Sequence, residues 1–227
     1  MRWFVACVIC LLFVASMAQA AAVETTAGTK AMVFRFSGLS DLGLSGYSGL
    51  PDFTGLDVPA NVGVGVRYYI SDGLAIRPGL DVGMASTKTK GAGGWTDEKE
   101  SKSVIGLSVA VEKHLPGPAN VSPYMGAGAG VAMGKHTTEP TRFLPSDPGD
   151  ELKTTDKATM FNVFAMLGFE WGFTESLTLG GEYRLGLNAA SGSSEEERQS
   201  APTIKSGEIS GIGIGFGTAS VYLSAGW

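Results

Sequence analysis

Apolar and polar positions alternate with a period of two through eight runs of this chain, the signature of strands buried on one face. Residues 30–40 set Met32, Phe34 and Phe36 against Val33, Arg35 and Ser37. Residues 60–70 set Val62, Val64, Val66 and Tyr68 against Asn61, Gly63, Gly65 and Arg67. Ser71-Asp72-Gly73 then reads as a tight turn. The third run places Leu74, Ile76, Pro78, Leu80, Val82 and Met84 opposite Ala75, Arg77, Gly79, Asp81 and Gly83. The fourth carries Ile105, Leu107, Val109 and Val111 against Gly106, Ser108, Ala110 and Glu112, and Pro116-Gly117-Pro118 ends it.

Residues 123–135 alternate Met125, Ala127, Ala129 and Val131 with Tyr124, Gly126, Gly128 and Gly130. The sixth run opposes Phe161, Val163, Leu167, Phe169 and Trp171 to Asn162, Phe164, Met166, Gly168 and Glu170, before a turn at Thr174-Glu175-Ser176. The seventh opposes Leu177, Leu179, Tyr183, Leu185 and Leu187 to Thr178, Gly180, Glu182 and Arg184. In the last, Ile212, Ile214 and Phe216 hold one phase and Val221, Leu223, Ala225 and Trp227 the other, which predicts a bulge near Gly217. Pro78 predicts a second bulge, because a proline inside a paired strand removes a ladder hydrogen bond.

Long polar gaps alternate with the tight turns. The expected loops lie near residues 41–57, 87–102, 136–156 and 189–207. An even number of antiparallel strands with long loops at one rim and short turns at the other describes an all-β, eight-stranded up-and-down barrel, transmembrane if the apolar face meets lipid. Alternation alone is neutral about that sense: a soluble sandwich or lipocalin-like barrel has the same rhythm with its apolar face inward.

The other face bears on the choice. A soluble barrel would dress it with charged and polar side chains. Here it is mostly Gly, Ala and Ser, with Arg35, Arg67, Arg77, Arg184, Asp81, Glu112, Glu170 and Glu182 as a sparse, balanced charge set. Small residues suit the narrow interior of an eight-stranded barrel. The eight charges are expected to form a structural ion-pair network there, since burial demands pairing. A gated polar path is the competing reading. Tyr68, Tyr69, Tyr124, Phe169, Trp171, Phe173 and Trp227 fall near the short-turn rim and are expected to form an aromatic girdle.

The N-terminus changes the picture further. Arg2, an apolar run over residues 3–14 and Ala18-Gln19-Ala20 make a secretory signal peptide over residues 1–21, cleaved near Ala20 or Ala21, leaving residues 22–227 as one barrel domain. Both cysteines, Cys7 and Cys10, lie inside that leader, so no disulfide framework or thiolate chemistry is expected afterwards. Of 17 Lys and Arg, Arg2 falls in the leader, leaving sixteen against 22 Asp and Glu. This mildly acidic balance carries no basic patch for nucleic acid. No later stretch reaches the ~20 apolar residues of a spanning helix. The 33 glycines are about twice the usual ~7% share and argue against long helices.

Chemistry is thin. A Ser-His-carboxylate hydrolase needs a histidine held against a serine. His114 and His136 are expected to be ordinary turn or rim residues, so no catalytic residue is assigned. Asp147, Asp150 and Glu151, and likewise Glu195, Glu196 and Glu197, lack a calcium-loop spacing. Gly126-Ala127-Gly128-Ala129-Gly130 lacks the helix and lysine of a phosphate loop. No cofactor or metal is expected.

Several stretches also resemble a known family. Phe34-Arg35-Phe36-Ser37-Gly38-Leu39, Gly63-Val64-Gly65-Val66-Arg67-Tyr68-Tyr69 and the closing Val221-Tyr222-Leu223-Ser224-Ala225-Gly226-Trp227 are similar to strands of the small outer-membrane β-barrel superfamily, of OmpA-barrel or OmpX type. The resemblance spans nearly the whole exported chain, through pattern rather than a rigid motif. It implies an integral outer-membrane protein with both termini periplasmic and outer-membrane lipid around it. It also implies recognition by the barrel-assembly machinery through the strand ending at Trp227. Its role is then structural and surface-interacting, with the long loops facing a surface ligand or a host or matrix partner; a narrow pore for small solutes or ions is the alternative.

Overall fold

Strand pairing runs without interruption from each element to the next and then returns to the first. The computed structural model describes residues 23–37, 61–90, 97–118, 120–142, 152–198, 201–205 and 209–227. Its strands are β1 (Lys30–Ser37), β2 (Asn61–Ser71), β3 (Leu74–Thr89), β4 (Asp97–His114), β5 (Val121–Arg142), β6 (Leu152–Gly172), β7 (Leu177–Arg198), β8 (Ala201–Lys205) and β9 (Ile209–Gly226). All pairings are antiparallel. β1 to β7 pair in order, β7 pairs β9, and β9 returns to β1 from Ala31↔Gly226 to Ser37↔Ser220. This closes a ring of eight; β8 is a short extra strand on the far end of β7. The signal-peptide residues and the expected loop at 41–57 lie outside the described residues.

The ring has the sense of a membrane barrel. Large apolar side chains are outside: Phe34, Val64, Leu107, Phe161, Leu167 and Leu187 are all exposed. Tyr222, Tyr124, Arg67, Glu112 and Glu170 are buried inside. Period two converts directly into this inversion, because successive side chains leave a strand on opposite faces.

Closure places bulky side chains in a narrow space, and glycines on neighbouring strands make room for them. A Cβ at Gly168 would overlap the Tyr124 ring, and one at Gly180 the Tyr222 ring. Gly126 and Gly128 leave space for Met166 and Phe164, whose atoms lie 2.7 and 2.6 Å from where a Cβ would sit. Conformation matters at Gly28 and Gly73, whose φ values of +89° and +68° are left-handed backbone that glycine adopts freely.

Three expectations need correction. The gaps at 87–102, 136–156 and 189–207 are mostly strand, since β5, β6 and β7 are 22, 21 and 22 residues long. Both faces turn polar there, so alternation stops signalling a strand although pairing persists, as from Ser103↔Lys135 to Glu98↔Pro140. Pro78 causes no bulge: the β3–β4 ladder is continuous through Pro78↔Val109, and the β2–β3 register is the same on both sides of the proline. The irregularity in that hairpin falls instead between Tyr69 and Ser71, at the turn. Tyr69 and Tyr124 are not in a girdle; both are 2% exposed and point into the lumen, while Tyr68, Phe169 and Trp227 face outward. The bulge expected near Gly217 is present, with one extra β9 residue between Arg184↔Thr218 and Gly186↔Gly215.

Gly168→Ala and Gly180→Ala should each cost about 1–3 kcal/mol through overpacking against a lumen tyrosine. Gly226→Ala should be mild, because its Cβ would meet only Lys30 O at 3.7 Å and Ser176 O at 3.9 Å. Urea midpoints of the three variants in one detergent check the ranking; equal midpoints would contradict it.

Candidate functional site

Inward positions on five strands converge at one level of the lumen. Arg67 of β2 donates to Glu112 of β4 (Nε to Oε2, 2.6 Å) and to Glu170 of β6. Arg77 of β3 takes the other oxygen of Glu112 (Nε to Oε1, 2.7 Å) and also pairs with Glu182 of β7. Arg184 closes the chain on Glu182 (Nε to Oε1, 2.5 Å). The order Glu170–Arg67–Glu112–Arg77–Glu182–Arg184 thus alternates three cations with three anions and is neutral. Arg35 and Asp81 form a separate pair nearer the extended end. All eight charged residues singled out in the sequence therefore have an ionic partner.

Rings and hydroxyls complete the packing. Tyr124 donates to Glu182 Oε2 at 2.8 Å, and Thr178 to Glu170 Oε1 at 3.3 Å. The Arg67 guanidinium lies 5.6 Å from the ring centres of both Tyr124 and Tyr222, and Arg184 lies 4.4 Å from that of Phe164. These distances permit cation–π attraction, which is strengthened where water is excluded. Arg67, Glu112 and Glu170 are at most 1% exposed. What the arrangement does chemically is fill and neutralise the lumen.

With the ring and its lumen in view, sequence comparison decides the family. The outer membrane protein β-barrel domain family matches residues 6–220. The chain belongs to that family. No curated protein matches it. Among solved structures it is similar to a major outer membrane protein from Thermus thermophilus, with TM-score 0.52, 12% identity, and coverage of 88% of this chain and 99% of that one. It is also similar to Ail, the attachment invasion locus protein of Yersinia pestis, with TM-score 0.44, 10% identity, and coverage of 89% and 100%. The Thermus likeness, at that identity, is one of fold.

Within this outer-membrane barrel His114 differs from expectation. His114 is not a turn residue. It ends β4, in phase with Glu112, and is 5% exposed. Its Nδ1 is 2.8 Å from Ser122 Oγ, its Nε2 is 3.2 Å from the Tyr69 hydroxyl, and its ring stacks on Tyr124 at 5.1 Å. Glu112 Oε2 lies 3.6 Å from Nε2. A serine, an imidazole and a carboxylate are thus adjacent, but both oxygens of Glu112 are held by arginines and Ser122 is 6% exposed. An acyl-transfer centre needs a nucleophile its substrate can reach. The cluster is packed as the turn-side floor of the ion-pair network.

The sequence reading missed Tyr69, His114, Ser122, Tyr124 and Tyr222 as lumen residues. Parity alone could have found them, because each shares the phase of a recognised inward neighbour.

His136 sits on the extended part of β5 between two carboxylates, 2.9 Å from Glu100 Oε1 and 3.4 Å from Asp156 Oδ2. Glu100 also accepts from Lys102 at 3.0 Å, and this hydrogen bond is the main reason its carboxyl sits below the usual value. Glu195 bridges Lys157 and Lys205, and Lys153 bridges Glu139 and Glu197. These are solvated cross-strand pairs that keep a polar sheet in register. Asp147, Asp150 and Glu151 lie outside the described residues.

Glu112 bridges two buried cations, so Glu112→Leu should destabilise the barrel by about 3–5 kcal/mol, the cost of leaving buried charges unpaired. Lys153→Met, which breaks exposed pairs, should cost no more than about 1 kcal/mol. Denaturant midpoints in detergent measure both; equal losses would contradict the burial argument.

Proposed function

We propose that this protein is an outer-membrane anchor whose sealed barrel carries an extended β-sheet outward as a contact surface. The observation that carries the reading is strand length. A spanning strand needs about 9–11 residues, and β4 to β7 have 18 to 22. The surplus is at one end, where alternation gives way to polar pairs such as Lys157–Glu195. Binding surfaces are commonly carried this way on a rigid scaffold. The partner is a surface ligand or a host or matrix molecule.

The remaining parts fit that role. Residues 1–21 act as the cleaved signal peptide. The outward apolar side chains meet outer-membrane lipid, and Trp227 ends the strand offered to the barrel-assembly machinery. The Arg67–Glu112–Arg77 chain has a structural role: it fills the lumen and supports anchoring over transport.

Conductance in a planar bilayer tests the sealed lumen. Silence is expected from the wild type, whereas recurrent openings altered by Arg77→Met or Glu112→Gln would favour the narrow pore. Replacing residues 136–156 with a short turn tests the surface. The expected outcome is a heat-modifiable barrel whose expressing cells no longer adhere to a matrix-coated support. Unchanged adhesion would contradict the role given to that sheet.

A further inference from the structure

Where the outer apolar face ends, the strand registers bring two lysines together. The ladders align Ser103↔Lys135, Lys135↔Lys157 and Lys157↔Ser193, so hydroxyl, ammonium, ammonium and hydroxyl stand side by side on β4, β5, β6 and β7. All four share the phase of the lipid-facing residues. One step towards the short turns the outward positions of β4 and β5 are Ile105 and Met133, and Phe161 lies four residues along β6 from Lys157; all three are exposed. Lys135 and Lys157 are exposed as well.

Like charges directly opposite each other destabilise a sheet, and the protein neutralises this pair incompletely. Lys157 reaches Glu195 Oε2 at 3.0 Å, but the other oxygen of that carboxylate lies 3.6 Å from Lys205. Lys135 has no ionic partner among the described residues. Its neighbours on the same face, Ser103, Met133, Thr137 and Lys157, include no acid. Glu100 and Asp156 hold His136, which points to the opposite face from Lys135. Three ammonium groups thus share one carboxylate, and the row carries an excess of positive charge.

Position decides which anion answers it. A lysine stem packs along apolar surface while its charge turns to water, and at the border of a bilayer this puts the ammonium at headgroup depth. Farther out the lysines are matched within the protein, as Lys153 is by Glu139 and Glu197. A phosphate offers several acceptor oxygens, and charge-assisted hydrogen bonds to such oxygens are strong. Directly opposite residues have Cβ atoms about 4.5–5.5 Å apart, close enough for both ammonium groups to reach one phosphate.

We propose that Lys135 and Lys157, flanked by the hydroxyls of Ser103 and Ser193, form a docking site for the phosphorylated headgroup of an anionic lipid in the leaflet around the extended end. The site rests on the barrel spanning a bilayer and is independent of what the outer sheet contacts.

Phosphatidic acid is the probe. The barrel purified from membranes is reconstituted into phosphatidylcholine vesicles containing a minor share of phosphatidic acid, and native mass spectrometry identifies the lipid that stays bound on release. The wild type should retain phosphatidic acid in preference to phosphatidylcholine. Lys135→Met and Lys157→Met should each lower its apparent affinity about fivefold, while both variants still migrate as heat-modifiable barrels. Lys153→Met makes the same charge change on the same face, farther out, and should bind as the wild type does. Equal retention of the two lipids by the wild type would overturn the site, as would an equal loss in Lys153→Met. Binding of inorganic phosphate to the barrel in phosphatidylcholine alone, with the same dependence on Lys135, would assign the row to a free anion and overturn the lipid. A barrel that does not float with vesicles would remove the bilayer reading and this one with it; one that floats but holds no phosphatidic acid would remove this one alone.

Discussion

Everything in this barrel follows from burying arginine and glutamate inside a ring too narrow to hydrate them. An eight-stranded closure leaves an interior only wide enough for side chains. Each buried charge must then find its counter-charge in the protein. The partners come from different strands, so Glu112 joins β2 to β3 through Arg67 and Arg77, and Glu182 joins β3 to β7. Replacing a buried ion pair with apolar residues of similar volume is often neutral or stabilising, so specificity is the better account of why charges are used here. Sliding a strand by one residue would flip its whole inward set outward. A lipid-facing arginine at the bilayer midplane costs about 2–4 kcal/mol. The network therefore penalises every wrong register.

The glycine content is the complement of that choice. Tyr124, Tyr222, Phe164 and Met166 fill the space around the charges, and each leans over a neighbouring glycine: Gly168, Gly180, Gly128 and Gly126. Large and small residues alternate around the ring as packing at fixed volume requires. Beyond the apolar band the constraint relaxes. Strands continue with no need for an apolar face, held by ladder hydrogen bonds and exposed ion pairs such as Lys153–Glu139. Such pairs are individually weak. The two ends of the same strands thus differ in kind, a neutral filled lumen at one and a polar, solvated sheet at the other.

Much of this was legible in the sequence, for a specific reason. Period two survives wherever one face is apolar and the other small, so the ring and its sense can be read from Val64-Gly65-Val66-Arg67. The same logic also showed that adjacent Tyr68 and Tyr69 cannot both face lipid, a consequence the girdle assignment overlooked. His114 looked like a turn residue because Pro116 follows so closely, although its phase with Glu112 places it inside. The outer halves of β4 to β7 were illegible because no apolar face remains to set the period. Which arginine meets which glutamate was also beyond the sequence: Arg67 and Glu170 are 103 residues apart, and only closure of the ring brings them together.

That pair offers the most direct measurement. A double-mutant cycle with Arg67→Met, Glu170→Gln and the double variant, read from unfolding free energies in one detergent, isolates their coupling from other effects of each substitution. Residues in one buried network show interaction energies of about 0.5–3 kcal/mol, and a value in that range is expected here. Additivity within about 0.3–0.5 kcal/mol would contradict the account, because it would mean that the lumen charges do not hold these two strands together.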